Sequence, residues 1–181
     1  MMTALRAKLF GPAAAFRKDD GTASVEFVML IPLLLTVFMS SIECGLLMLN
    51  SLMLEQSVDL TMRDLRLGHY TDPTAASLKQ EICRRADIIT DCDARIMIEM
   101  TRISTTTWNL PKTNTPCVDR TLDFQPVTTL EIGAANDLML VRVCVIQDLL
   151  FPTSGLGFYL PQDSKGGYGL SAASAFVIEP I

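Results

Sequence analysis

The chain has 181 residues, 49% of them hydrophobic, with 15 Lys and Arg against 20 Asp and Glu for a formal net charge of −5. That length suits one compact domain plus a tail, and the hydrophobic share is high for a purely soluble chain. The basic residues are scattered rather than gathered into a stripe, which excludes a nucleic-acid footprint and leaves no electrostatic partner indicated.

Residues 1–21 read as a basic leader, with Arg6, Lys8, Arg17 and Lys18. From Phe27 to Leu49 only Glu43 is charged, a run of about 23 residues that spans ~34 Å as a helix and is long enough to cross a bilayer. A core helix so uniformly apolar would need a much larger protein around it. A secretory signal has a shorter apolar stretch of ~7 to 15 residues ending in small residues, whereas here Ser40 and Ser41 lead into Ile42, Glu43, Cys44 and further leucines. Glu43 is also a poor fit to the small residue that a lipoprotein site places before its cysteine, and Cys44 is read as a packing residue. Because basic residues are retained on the cytoplasmic side, the N-terminus is expected inside and the larger C-terminal part exported.

Gly21-Thr22-Ala23-Ser24-Val25-Glu26 joins the leader to the run and sets a carboxylate at the mouth of a membrane helix. A charge within a membrane costs roughly 2.5 to 3.5 kcal/mol at mid-span and less near an interface, which makes Glu26 a candidate functional residue. A cut after Gly21 would free an α-amino group on Thr22, one helical turn from Glu26 or within reach of a neighbouring subunit's Glu26. The bland reading, a solvated residue at the helix start, stands beside it. Pro32 removes a helical amide and crowds the carbonyl of Val28, so a bend is expected there, although tolerated prolines are common in membrane helices. Glu43 is expected near the outer boundary of the span. Beyond it Leu49, Met53, Leu60 and Leu67 keep an apolar face, and Asp59 stands four residues before Arg63, so the helix is expected to continue as a stalk until Gly68.

Gly21 to Glu26, the apolar run with Pro32 inside it, Glu43 with Gly45, and the continuation to Arg63-Asp64-Leu65-Arg66 together resemble the TadE-like minor pseudopilins of the tight-adherence pilus. The likeness covers roughly residues 20 to 68. It implies cleavage by a prepilin peptidase between Gly21 and Thr22, with Glu26 the fifth residue of the mature chain. It further implies a role in assembling a type IV-like pilus, with Glu26, Pro32 and Glu43 as assembly residues and other pilus subunits and inner-membrane assembly proteins as partners. Asp19 and Asp20 depart from the basic residues usual beside such a cut.

Asp72-Pro73 reads as the cap and first position of a second helix, in which Leu78, Ile82, Ala86 and Ile89 share a face and Glu81 precedes Arg85 by four. Strands are predicted over Arg95–Ile103, with Ile96, Ile98 and Met100 on one face, over Leu138–Ile146 as a central strand, and over Ala173–Ile178. A Thr- and Pro-rich loop spans Ser104–Pro116. The glycine-rich stretch Ser164–Gly169 reads as a flexible surface loop. The fold expected is α+β: a long N-terminal transmembrane helix continuing as a stalk, then a small pilin-like domain of helix on antiparallel sheet. The divisions are residues 1–21 (cytoplasmic leader), 22–49 (transmembrane), 50–68 (stalk) and 69–181 (periplasmic or extracellular domain).

Cys83, Cys92, Cys117 and Cys144 form an even set in the exported region, which implies disulfides and an oxidising compartment. Of three possible connectivities, Cys83 with Cys92 and Cys117 with Cys144 are favoured. No Cys-x-x-Cys pair supports a zinc site, and no phosphate-cradling loop is present. His69 is the only histidine, and a solvated turn residue is expected there. Trp108 is either an exposed contact residue or a cap on the sheet. No catalytic residue, cofactor, metal or small-molecule substrate is expected. The functional expectation is a non-enzymatic pilus-assembly protein of a bacterial inner membrane. The alternative is an unprocessed single-pass protein whose exported domain binds a ligand or an envelope component.

Overall fold

The computed structural model describes residues 20–70, 72–111, 117–122 and 129–179, with the first four of these described by backbone alone. The leader's Arg6, Lys8, Arg17 and Lys18, and the loop as far as Pro116, lie outside or partly outside the described residues. The elements are α1 (Asp20–Arg66), α2 (Ala75–Arg85), α3 (Cys92–Arg95), β1 (Ile96–Ile103), β2 (Leu138–Asp148), a short 3-10 turn (Gly157–Tyr159) and β3 (Gly167–Val177). The fold is α+β, and two compact units divide at Phe38 and Met39.

In the first unit, α1 shows its apolar residues outward. Val25, Phe27 to Leu30, Leu33 to Leu35, Val37 and Phe38 are all exposed. The helix continues through Pro32. Ser24–Arg66 is the one helix among the described residues long and apolar enough to cross a membrane, with a mean hydropathy of 2.2 over its most apolar stretch. None of that stretch is buried in the protein, so it is not a core helix, and a hydrocarbon environment is what such a surface suits.

In the second unit, the rest of α1 becomes part of the core. Leu54, Val58 and Met62, spaced at one turn, are at most 1% exposed. Ser57 and Thr61 on the same face satisfy their hydroxyls within the helix, donating to Leu54 O and Ser57 O at 2.8 Å. α1 ends where Gly68 takes a left-handed φ of 71°, and His69 N donates to Asp64 O while Gly68 N donates to Leu65 O, both at 3.1 Å. This closure satisfies two terminal carbonyls and needs a residue tolerant of positive φ, hence glycine. Against expectation, α2 is capped by Thr74 rather than Asp72: Ser77 N donates to Thr74 Oγ1 at 3.1 Å, and Thr74 N donates to Ser77 Oγ at 2.9 Å. The reciprocal pair satisfies two otherwise orphaned amides, which places Pro73 outside the helix.

The sheet is antiparallel in the order β1-β2-β3. Its inner face carries Ile96, Ile98 and Met100 from β1, Met139, Val141, Val143 and Val145 from β2, and Tyr168, Leu170, Ala172 and Phe176 from β3, all packed with α1 and α2 residues including Leu78 and Ile82. The outer face holds the directly opposed ion pair Glu99–Arg142 and a second small cluster of Met97, Val118 and Ile146 beside Cys117. Residues 129–131 run along the free edge of β1, with Met100 N donating to Thr129 O and Glu131 N to Met100 O at 3.0 and 2.9 Å, so that edge is partly covered.

Ser164–Gly169 is not simply a loop, because β3 begins at Gly167. A Cβ on Gly169 would stand 3.2 Å from Cys117 Sγ and 3.4 Å from Cys144 Sγ. These glycines mark a close backbone approach to a disulfide and to Arg120, which glycine-rich composition alone does not distinguish from a loop.

Candidate functional site

Three features can carry function: the start of α1, the contact around Glu43, and the staples of the domain. Thr22 and Glu26 lie four residues apart within α1, so the backbone sets them one turn apart on one side of the helix. Glu26 is exposed, flanked by exposed Val25 and Phe27, a carboxylate on an otherwise apolar surface. Pro32 is exposed in the next turns. Cys44 is a free thiol and exposed.

Glu43 is only 2% exposed. Its carboxylate accepts the backbone amide of Phe151 at 3.0 Å and that of Leu150 at 3.2 and 3.3 Å to its two oxygens. One turn earlier, Ser40 Oγ accepts Leu156 N at 3.1 Å, and Ser154 Oγ donates to Met39 Sδ at 3.7 Å. Glu43 therefore sits within the second unit as the anchor of the segment between β2 and β3. Spacing in the sequence identified Glu43 as a lone charge, but its amide partners more than a hundred residues away were not readable from it.

Cys83 is joined to Cys92, and Cys117 to Cys144, with Cα–Cα distances of 5.5 and 5.0 Å. The first bond ties α2 to α3 and the second ties the segment before Arg120 to β2. Arg120 adds a polar staple that the sequence reading missed: its Nε and one terminal nitrogen grip both oxygens of Asp163, and its other terminal nitrogen reaches Asp148, all at 2.6 Å. Asp148 also receives Arg95 at 2.6 Å. The Arg120 fork is the main reason the Asp163 carboxyl is held far below the usual range; burial opposes it, and the Gly167 and Lys165 amides assist. For Asp148, burial pushes upward, but Arg120 and Arg95 outweigh it and the net shift is downward.

On the helical side, Glu81 takes Arg84 and Arg85, and Arg85 also reaches Asp64 of α1. Glu81 is lowered to about 2, chiefly by its hydrogen bond from Arg84, against the opposing effect of burial. Trp108 is exposed, at φ 50° in the turn after β1, and His69 is an exposed turn residue close to Asp64. Among the described residues no three His, Cys, Asp or Glu side chains gather to form a metal site.

A surface-exposed apolar helix, opening with Gly21 to Glu26 and running on into a folded domain, is the feature that comparison with known proteins resolves: residues 21–63 match the family model for TadE-like protein. The segment is TadE-like. No curated protein and no solved structure matches the chain. The match begins at the glycine expected before the cut and ends one turn short of the end of α1, so the TadE-like region is essentially α1, and the sheet lies outside it. The likeness is thus to a pilus-related family and is carried by an N-terminal membrane-type helix.

Proposed function

We propose that this chain is a minor pseudopilin or assembly protein of a tight-adherence pilus, cleaved by a prepilin peptidase between Gly21 and Thr22. The carrying observation is the exposed Glu26 near the start of a bare apolar helix whose residues 21–63 match the TadE-like family. Residues 1–21 are the cytoplasmic leader and the bilayer is crossed within residues 22–49, with the leader's basic residues holding the N-terminus inside. The remainder lies on the periplasmic side, either membrane-resident or carried into the filament, and its two disulfides suit an oxidising compartment.

In this reading the cut has an electrostatic purpose. Cleavage frees the Thr22 α-amine, and that cation neutralises a Glu26 carboxylate on its own helix or on a neighbour as helices associate in the bilayer, where an unpaired charge is costly. Apolar faces around Pro32 supply the packing surface. Glu26→Ala is expected to insert in the membrane normally while lowering pilus yield or incorporation severalfold in quantitative immunoblots of sheared filaments. An unchanged pilus yield in that variant would count strongly against the assembly role.

A further inference from the structure

We propose that the segment between β2 and β3, residues 149–162, is a membrane-interface collar that lies in the outer headgroup layer of the bilayer crossed by α1; the inference rests on the membrane-anchored reading above. From Leu149 to Gln162 there is no charged residue, in a chain with 19% charged residues overall. Three of its large side chains point outward, Leu150 at 57% exposed, Phe158 at 70% and Tyr159 at 83%, while Leu149 and Leu160 pack inward against the core. Phe158 and Tyr159 meet edge to face at 5.6 Å, forming a small aromatic projection.

Its depth is fixed by what it is bonded to. The segment hangs from Met39, Ser40 and Glu43 of α1. Counted along the sequence, a hydrocarbon core of ~30 Å needs about 20 helical residues, so a span beginning at Val25 ends near Cys44. A segment hydrogen-bonded to residues 39–43 is thereby held at the outer boundary. That boundary is where Tyr and other amphipathic rings are favoured, with the ring in the apolar layer and the hydroxyl in the headgroups.

The sheet gives the same orientation. α1 passes Leu150 at Glu43 and reaches Glu179 at Arg66, which bond at 2.6 Å. Within the second unit, the 149–162 end of the sheet is therefore the one beside residues 39–43, where the chain enters from the span, and Ile103, Leu138 and the exposed Trp108 lie at the opposite end. The base of the segment is closed by the two carboxylates that bracket it, Asp148 and Asp163, both held by Arg120. The charged residues thus stand at the base and the uncharged stretch projects from it, a division that suits a lipid boundary better than open water.

The test uses the full-length chain reconstituted in phosphatidylcholine and phosphatidylglycerol vesicles, with bromine-labelled lipids as quenchers. Trp108 is the single tryptophan, so the unaltered chain reports the distal end. In a Trp108→Phe background, Phe158→Trp reports the collar, Tyr159→Trp repeats the measurement at the adjoining ring, and Phe38→Trp reports the span. Bromines near the headgroups are expected to lower the Phe158→Trp and Tyr159→Trp emission about twofold, as for rings in an interfacial belt, while Trp108 stays unquenched. If Phe38→Trp is quenched and both collar reporters are not, the collar is overturned and the anchor stands. If none is quenched, the anchor fails and the collar with it. Collar emission indifferent to bromine but shifted to the blue as protein density rises would put a second copy over this surface, and overturns the proposal.

Discussion

Removing the Glu43 carboxylate tests how the domain is joined to its helix. Two backbone amides, Leu150 and Phe151, donate to a side chain that is 2% exposed. Hydrogen bonds to a charged group contribute about 1.5 to 3 kcal/mol each, and buried donors left without a partner cost a similar amount. Leu150 itself is largely exposed, so water can reach its amide once the segment loosens, and about 2 to 3 kcal/mol is the reasonable sum for Glu43→Ala. At 1.4 kcal/mol per tenfold, local opening of residues 149–156 should rise roughly 30- to 150-fold. Hydrogen–deuterium exchange of the detergent-solubilised full chain, read by mass spectrometry, should show that acceleration in peptides covering this segment and none in β1 or β2. Glu43→Gln keeps one acceptor oxygen and should fall between. Identical exchange in the wild type and the alanine variant would mean that the carboxylate does not hold the segment.

The disulfides should contribute unequally. Closing 27 residues between Cys117 and Cys144 corresponds to about 3.5 kcal/mol by loop entropy, and closing 9 between Cys83 and Cys92 to about 2.6 kcal/mol; paired Cys→Ser variants compared by urea unfolding in detergent should preserve that order. Acid should weaken the domain. Glu81, lowered to about 2 from 4.5, and Asp64, Asp148 and Asp163, each lowered from 3.8, bind protons less tightly folded than unfolded. Their stabilisation is thus complete above the unfolded values and is lost as pH falls from roughly 5 toward 2. The urea midpoint should decline across that window, and Asp163→Asn should flatten the decline.

What was legible in the sequence was what periodicity and length encode. The 23-residue run, the helical spacing of Leu78 and Ile82, and the alternation of Ile96, Ile98 and Met100 depend on neighbours a few positions away, and the described elements follow them. Contacts made across the chain were not legible. Thr74 takes the cap from Asp72 through a reciprocal bond with Ser77 that competes locally with Pro73. Gly167 and Gly169 belong to a strand because a disulfide and Arg120 press on it from the outer face. Met97, on the face opposite Ile96 and Ile98, is buried because the Cys117–Val118 segment covers that side, a contact that alternation does not encode. Glu43 and its two amides, and the Arg120 fork, depend on separations of 28 to 108 residues. The one available signal for the collar was the uncharged stretch bracketed by Asp148 and Asp163.

Maturation of this chain by proteolysis, as a TadE-like pilus-assembly protein, is read from the N-terminus of the protein in its own host. Intact mass and N-terminal sequencing from membranes, with and without an active prepilin peptidase, should show a chain beginning at Thr22 only when the peptidase is active. A chain retaining residues 1–21 in both strains would overturn maturation by the peptidase and leave a membrane-tethered domain that binds a ligand or an envelope component.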